Sequence, residues 1–363
     1  MPTSVITNTQ TGWAFMSSLV ENMASPSRFM TTLIFGDREE PVPTESIEVS
    51  YKSGDRNVAP FAELNSEAIA VPGRSVTFAN VSAPNIKLKR PMDAYNAFIR
   101  RQPGTGIFIT SGRQVADART AAIAEDAEIM VNMIENRVEL MTCQMVAPVT
   151  PVTGFIELSY KANEKANFRI RIPRSADMNA QLTSTLRWND TSPNIELDFH
   201  TAKRIFSKWG DWPVGVAVMG KTASNAFRAN AAVKADLDKN NVQAGTLELI
   251  NQFGDSGAIY LGKIYGVPCW EYSREIVDED GVSKPLIPDD KVVFIAGGAA
   301  MNDNKIFYGP IPDHDAIEQG TFVGRRFSKA WKTPDPSVYV QLLQSRPLPM
   351  IRRPNAIYIL DVL

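Results

Sequence analysis

Cysteine and histidine are scarce in this chain of 363 residues, which has two of each. Cys143 and Cys269 lie far apart, and no C-x-x-C pair accompanies His200 or His314. Zinc needs three or four such ligands at short spacings, so no metal site is expected. Both cysteines read as small apolar residues of a chain made in a reducing compartment. An excess of positive charge is lacking too: 38 Lys and Arg stand against 40 Asp and Glu, a net charge of -2. A protein built to grip nucleic acid concentrates basic residues on at least one domain, so tight DNA binding is not expected. Long apolar runs are missing, the longest being strand-sized and well short of the ~20 residues that cross a bilayer. The first basic residue is Arg28, so the Lys/Arg-flanked apolar core of a secretory signal is absent. A soluble protein made in the cytoplasm, with no membrane partner, is the expectation.

Apolar residues make up 44% and charged residues 21%, enough for two or three packed units at this length. Residues 1–35 carry Trp13, Phe15, Met16, Leu19, Met23, Phe29 and Leu33 at largely helical spacings. This arm has no partner within its own length and is expected to lie against something else. Residues 36–95 are rich in Pro, Gly, Ser and β-branched residues. Ile47-Glu48-Val49-Ser50-Tyr51 alternates as a strand, and Val76, Phe78 and Val81 suggest another. A long, mostly polar passage starting Lys52-Ser-Gly-Asp-Arg-Asn57 lies between them. So few strands do not make a core alone, so an extended loop that packs on a neighbour is expected.

The clearest element is a helix over 113–146. Ile123, Ala127, Met130, Ile134, Val138, Met141 and Met145 form one apolar stripe, with Glu125, Glu128, Asn132, Glu135 and Glu139 opposite. At 1.5 Å per residue it would run ~45–50 Å, and Pro148 and Pro151 stop it. Beyond it, strands are expected around 155–160 and 168–172, and a helix near Thr201. There follow a strand at 214–219, a helix at 223–237, and strands at 258–264 and 269–277. The turn Asp278-Glu279-Asp280-Gly281 closes a hairpin. A buried strand at 291–296 and two final runs at 338–343 and 356–363 complete the pattern.

Three motifs resemble chemistry. Gly215-Val-Ala-Val-Met-Gly220-Lys221-Thr222 spells a phosphate loop, and Ala356-Ile-Tyr-Ile-Leu-Asp361 mimics the apolar strand ending in a metal-binding Asp. In a working loop the strand precedes the first glycine, whereas here the apolar run lies inside the motif and Gly220 reads as the turn into a helix. Gly254-Asp255-Ser256-Gly257 spells the nucleophile turn of trypsin-like proteases, but His200 lacks its usual context and a long helix contradicts that fold. The acidic turn 278–281, with Asp289 and Asp290 nearby, lacks the spacing of a calcium loop and reads as a solvated hairpin tip.

The C-terminal quarter carries a resemblance. Leu286-Ile287-Pro288-Asp289-Asp290-Lys291-Val292-Val293-Phe294 is similar to the hairpin-closing segment of major capsid proteins of the phage lambda head-protein family. In order after it come Phe307-Tyr308-Gly309, where that family has Tyr-Gly, and Arg326-Phe327-Ser328-Lys329-Ala330-Trp331 with Asp335-Pro336, where it has Tyr-Pro-Lys-Asn-Trp and Asp-Pro. Gln344-Ser345-Arg346-Pro347-Leu348 resembles Gln-Ser-Ala-Pro-Leu, and Pro354 to Leu363 its terminal strand. Upstream, Leu33-Ile34-Phe35, Glu125–Gly154 and Val214–Leu237 resemble the opening of its extended loop, its spine helix and its strand–turn–helix.

The resemblance implies an α+β Hong Kong 97-type capsid fold: arm 1–35, extended β-loop 36–95, peripheral domain 96–195 with spine helix 113–146, axial domain 196–337, and return strands 338–363 of the peripheral domain. It implies a structural subunit of a tailed double-stranded DNA phage, with no catalytic, cofactor or metal residues, assembling as hexamers and pentamers into an icosahedral virion. It further implies a separate scaffolding protein, since no charged helical extension precedes the arm, together with a portal protein and an optional decoration protein. The alternatives are an encapsulin-like compartment shell and, from another class, a P-loop nucleoside triphosphatase using Lys221 and Thr222.

Overall fold

The computed structural model describes residues 28–52, 76–93, 112–149, 154–162, 166–190, 193–240, 257–278, 281–314, 324–335 and 338–363, with a few positions between 16 and 23. The centre of the expected loop, the first three residues of Gly254–Gly257 and the tip of the acidic turn lie outside the described residues.

Along the chain, a short helix Phe29–Phe35 (α1) precedes strands Glu39–Pro41 (β1), Ser46–Lys52 (β2), Val76–Ser82 (β3) and Ile86–Asp93 (β4). The long helix Gly112–Val146 (α2) leads to Phe155–Ala162 (β5), Ala166–Pro173 (β6) and Asn179–Gln181 (β7). Helix Ile195–Gly210 (α3), strand Val214–Met219 (β8), and helices Lys221–Ala229 (α4) and Ala231–Asn240 (α5) come next. Strands Ala258–Ile264 (β9), Val267–Tyr272 (β10), Glu275–Val277 (β11), Ser283–Pro285 (β12), Lys291–Ala296 (β13) and Lys305–Tyr308 (β14) follow. Phe327–Thr333 (β15), Val338–Ser345 (β16), Pro347–Met350 (β17) and Ile357–Asp361 (β18) complete the set.

The main sheet has the order β7-β18-β13-β8-β10-β9. Every residue of β13 is buried, as are Ile357 to Leu360 of β18. Such continuously apolar strands need cover on both faces. On one face Phe199 of α3 meets Phe294 of β13 edge-on, ring centroids 5.1 Å apart, and Phe294 stacks on Tyr358 of β18 at 5.9 Å. A second sheet, β15-β16-β4, packs on α2: Leu343 of β16 shares a cluster with Ala127, Met130, Val131 and Ile134. A third, β1-β14-β17, is also three-stranded. The remaining pairs, β2–β3, β5–β6 and β11–β12, are two-stranded ribbons.

Several expectations need correction. The two runs of 338–363 lie in different sheets: β16 joins β4 and β15, whereas β18 lies between β13 and β7 in the same sheet as the strands of 214–296. Its unbroken apolar pattern suits the centre of the main sheet better than the half-covered β16 sheet. Helix α3 starts at Ile195, not near Thr201, because the Asn194 side chain accepts from the Leu197 N–H at 3.0 Å and caps it. The helix expected at 223–237 is two, since Asn230 leaves the helical region and its side chain accepts from the Ala232 N–H at 2.9 Å, capping α5. The strand expected at 269–277 breaks at Ser273-Arg274, where the Arg274 side chain donates to Asn136 on α2 at 2.8 Å. The N-terminal segment has its partner in its own chain: Phe29, Met30, Ile34 and Phe35 are buried in one cluster with Val138, Met141 and Met145 of α2.

Candidate functional site

The phosphate-loop motif is a packing element. Its strand, β8, runs inside the motif, and Gly220 turns the chain into α4. The helix N-terminus that would cradle a phosphate is already filled by backbone. The Gly220 N–H donates to the Lys291 carbonyl at 3.0 Å and the Ala223 N–H to the Asp289 carbonyl at 2.8 Å. A Cβ added at Gly220 would lie 2.2 Å from the Pro288 carbonyl oxygen, so glycine is needed for this approach and no anion fits there. Lys221 and Thr222 are both exposed. Asp361, the mimic of a metal-binding acid, is paired in register with Lys291 across β18 and β13. Burial, and then Asp290, push its carboxyl above the ordinary range.

The other candidates do not converge. His200 is exposed on α3, 3.7 Å from Glu196 one turn earlier. Cys143 and Cys269 are free and buried, and burial pushes the Cys269 thiol up to about 12, so neither is a poised thiolate. Among the described residues no group of three His, Cys, Asp or Glu side chains gathers at metal distance.

What the sequence reading missed lies on α2. Glu135 and Glu139, placed opposite the apolar stripe, are each 1% exposed. Glu135 forms ion pairs with Arg28 and Arg326, and Arg325 Nη2 lies 3.3 Å from both Glu135 and Glu39. Arg326 also donates to the Val20 carbonyl at 3.0 Å. One turn on, Glu139 accepts from the Met30 and Thr31 N–H groups at 2.9 and 3.0 Å and from the Tyr272 hydroxyl at 2.9 Å. Arg28 gives α1 no side-chain cap, so Glu139 satisfies its first amides from another helix. Burial, then Glu139, hold the Tyr272 phenol well above its usual range, so it remains a donor. The seam therefore joins the N-terminal segment, α2, the main sheet and the start of β15. Its carboxylates are taken by cations and amides, which suits holding and not proton transfer. The signal available in the sequence was apolar residues off the stripe, Val131, Leu140 and Cys143, which mark a helix covered on more than one side.

The ribbons are covered less evenly: Ile47 and Tyr51 of β2 and Ile156, Leu158, Ile170 and Ile172 of β5–β6 are buried in the central cluster, while other positions face outward. Ribbon β2–β3 pairs in strict register from Ser46↔Ser82 to Lys52↔Val76 and joins no other sheet among the described residues. On β5–β6, Glu157 bridges Arg169 and Arg171, both at 2.9 Å and both half-exposed. On β11–β12, Val277 is 70% exposed. Two strands alone are marginal in water, and a covered second face stabilises them.

Known proteins share this arrangement. A family profile described as phage major capsid protein E matches residues 13–362. The P21 prophage-derived major head protein of Escherichia coli O6:H1 (strain CFT073) and the major capsid protein of Enterobacteria phage P21 are each 26% identical over 152 residues, 41% of this chain. The match spans 43% of the length of each of these relatives. Among solved structures, a putative capsid protein of an E. coli CFT073 prophage superposes with a TM-score of 0.70 at 17% identity, covering 95% of both chains. A phage-related protein from Bordetella bronchiseptica RB50 gives 0.52 at 9% identity, also over 95% of both. The architecture is the α+β Hong Kong 97-type capsid fold. Matched by the family profile from Trp13 to Val362, the chain belongs to the phage major capsid protein E family.

Proposed function

We propose that the chain is the principal subunit of a tailed-phage head, joining as hexamers and pentamers into an icosahedral shell around double-stranded DNA. The observation that carries this reading is a capsid-family fold in which a closed core bears two-stranded ribbons that join no other sheet among the described residues. A shell supplies such ribbons with cover from neighbouring subunits. Each contact needs only the ~1,600 Å² of an ordinary stable interface, and closure multiplies such contacts by avidity. A net charge of -2 suits a container, since a strongly basic lining would hold the genome back. In the shell, 36–95 serves as the loop reaching a neighbour and 96–195, with the long helix, as the peripheral domain. Residues 196–337 form the axial domain, to whose sheet β18 contributes. A separate scaffolding protein, a portal and an optional decoration protein are the proposed partners, the host cytoplasm the place of assembly and the virion the final location.

Electron microscopy of the full-length protein, concentrated alone and co-expressed with the gene for the scaffolding protein, tests the reading. Closed particles or capsomers are expected. A monomer at every concentration and salt, with the scaffolding protein present, overturns it.

A further inference from the structure

The β2–β3 ribbon leaves the subunit on two feet, and both stand on Tyr308-Gly309-Pro310. On the incoming foot the Val42 N–H donates to the Tyr308 carbonyl at 2.8 Å. On the outgoing foot Ala83 is buried against Gly309, where an added Cβ would come within 3.1 Å of the Ala83 Cβ. Arg346 ties the outgoing foot to this base. Its Nη1 donates to the Pro310 carbonyl at 2.8 Å, and its Nε and Nη2 to the Ala83 carbonyl at 3.2 and 3.0 Å. Nη2 also donates to the Ser82 hydroxyl at 3.2 Å, and the Arg346 carbonyl accepts from the Gly309 N–H at 3.0 Å.

Arg346 is 8% exposed, and its partners among the described residues are neutral oxygens, not carboxylates. A buried guanidinium without a counter-ion is held by hydrogen bonds alone, so its planar fork must find acceptors in fixed directions. The fork therefore fixes a direction as well as a distance. It grips the last residue of β3 and the first residue after it, where a small change of backbone angle swings the whole ribbon.

We infer that Arg346 is the positioning residue that sets the angle at which the β2–β3 ribbon leaves the subunit, and through it the curvature at which subunits meet. The second half of this inference rests on the shell reading above; the first half does not. Of the other contacts, Gln344 to Asn85 at 2.8 Å and the register of β16 with β4 anchor β4, while Ile47 and Tyr51 of β2 are buried in the central cluster and hold the ribbon's inner face without fixing the direction of its outgoing foot.

The test uses full-length Arg346→Met and Arg346→Lys, read by hydrogen exchange and by particle diameter. In Arg346→Met, peptides covering 46–52 and 76–83 should exchange about tenfold faster or more while β8 and β13 keep wild-type protection. Particles should be fewer and broader in diameter, with Arg346→Lys intermediate. If Arg346→Met does not fold, Gly309→Ala decides, because it retains the Arg346 side chain yet crowds Ala83, whose carbonyl accepts from Arg346 Nε and Nη2; it should change ribbon exchange and diameter alike. Wild-type ribbon exchange and diameter in a folded Arg346→Met or Gly309→Ala overturn the inference. Should the wild-type chain itself form no particles, the shell reading fails, and the exchange comparison still decides whether Arg346 holds the ribbon.

Discussion

The main sheet, which mixes parallel and antiparallel pairs, and the antiparallel β2–β3 ribbon are both held by backbone hydrogen bonds, yet they differ in how many neighbours each strand has. In the sheet, β13 has β8 on one side and β18 on the other, and helices and aromatic rings cover it. In the ribbon, each strand has one neighbour among the described residues. Hydrogen bonding is similar in kind in the two places; side-chain cover differs. Stability should therefore follow the number of covered faces, not the number of backbone bonds. On the shell reading proposed above, the sheet makes the body of the subunit and the outward side of the ribbons is surface for other chains.

The severest test removes a strand from the covered region. Deleting residues 357–363 takes out Ile357, Tyr358, Ile359, Leu360 and Val362, all buried, at ~1.5–3 kcal/mol each. That rivals the whole ~5–15 kcal/mol of a typical domain. Circular dichroism should show an unfolded or insoluble product, and a wild-type melt would break the comparison. Next, Glu135→Gln takes away the buried carboxylate that pairs with Arg28, Arg325 and Arg326. A broken buried ion pair costs about 3–5 kcal/mol, so chemical denaturation should show a loss of that size, and trypsin should cut at Arg28 earlier than in wild type. A smaller effect, of opposite sign, is expected at Asp361, whose carboxyl is raised by burial and by Asp290. A raised carboxyl favours the folded state when protonated. Asp361→Asn should therefore melt slightly higher than wild type at pH 7, and the gap should close as pH falls through the raised pKa toward the ordinary 3.8. The smallest effect belongs to a ribbon: Glu157→Gln, which loses two half-exposed ion pairs on β5–β6, should change stability by ~0–1 kcal/mol. A larger loss on thermal melting would mean the ribbons support the core.

Elements with strong local pattern were legible in the sequence: both strands of the β2–β3 ribbon, the long helix, the β11–β12 hairpin and the strands of the main sheet other than the short β7. The inward stripe Ala127, Met130, Ile134, Val138, Met141 and Met145 is buried. The other side of the same helix was misjudged, because an acid pair four residues apart looks like a solvated face. What buries Glu135 is Arg326, far along the chain, and what buries Glu139 is a short helix whose own apolar spacing names no partner. Helix starts were misplaced where a single asparagine, Asn194 or Asn230, outweighed the apolar period. The home of β18 could not be read locally either, since an apolar strand fits any covered sheet. For the candidate site, the phosphate-loop spelling was legible as a strand and turn; that its amides are filled by the carbonyls of Asp289 and Lys291 was not.

The parallel pairing of β7 with β18, Asn179 beside Ile359, has a consequence in time. A ribosome adding ~5–20 residues per second makes β7 long before its neighbour exists. Until β18 emerges, β13 also has one flank open, so the sheet cannot close and the ribbons have no fixed body to extend from. A chain cut short before Ile357 would thus lack the strand that lies between β13 and β7, and its main sheet would stay open.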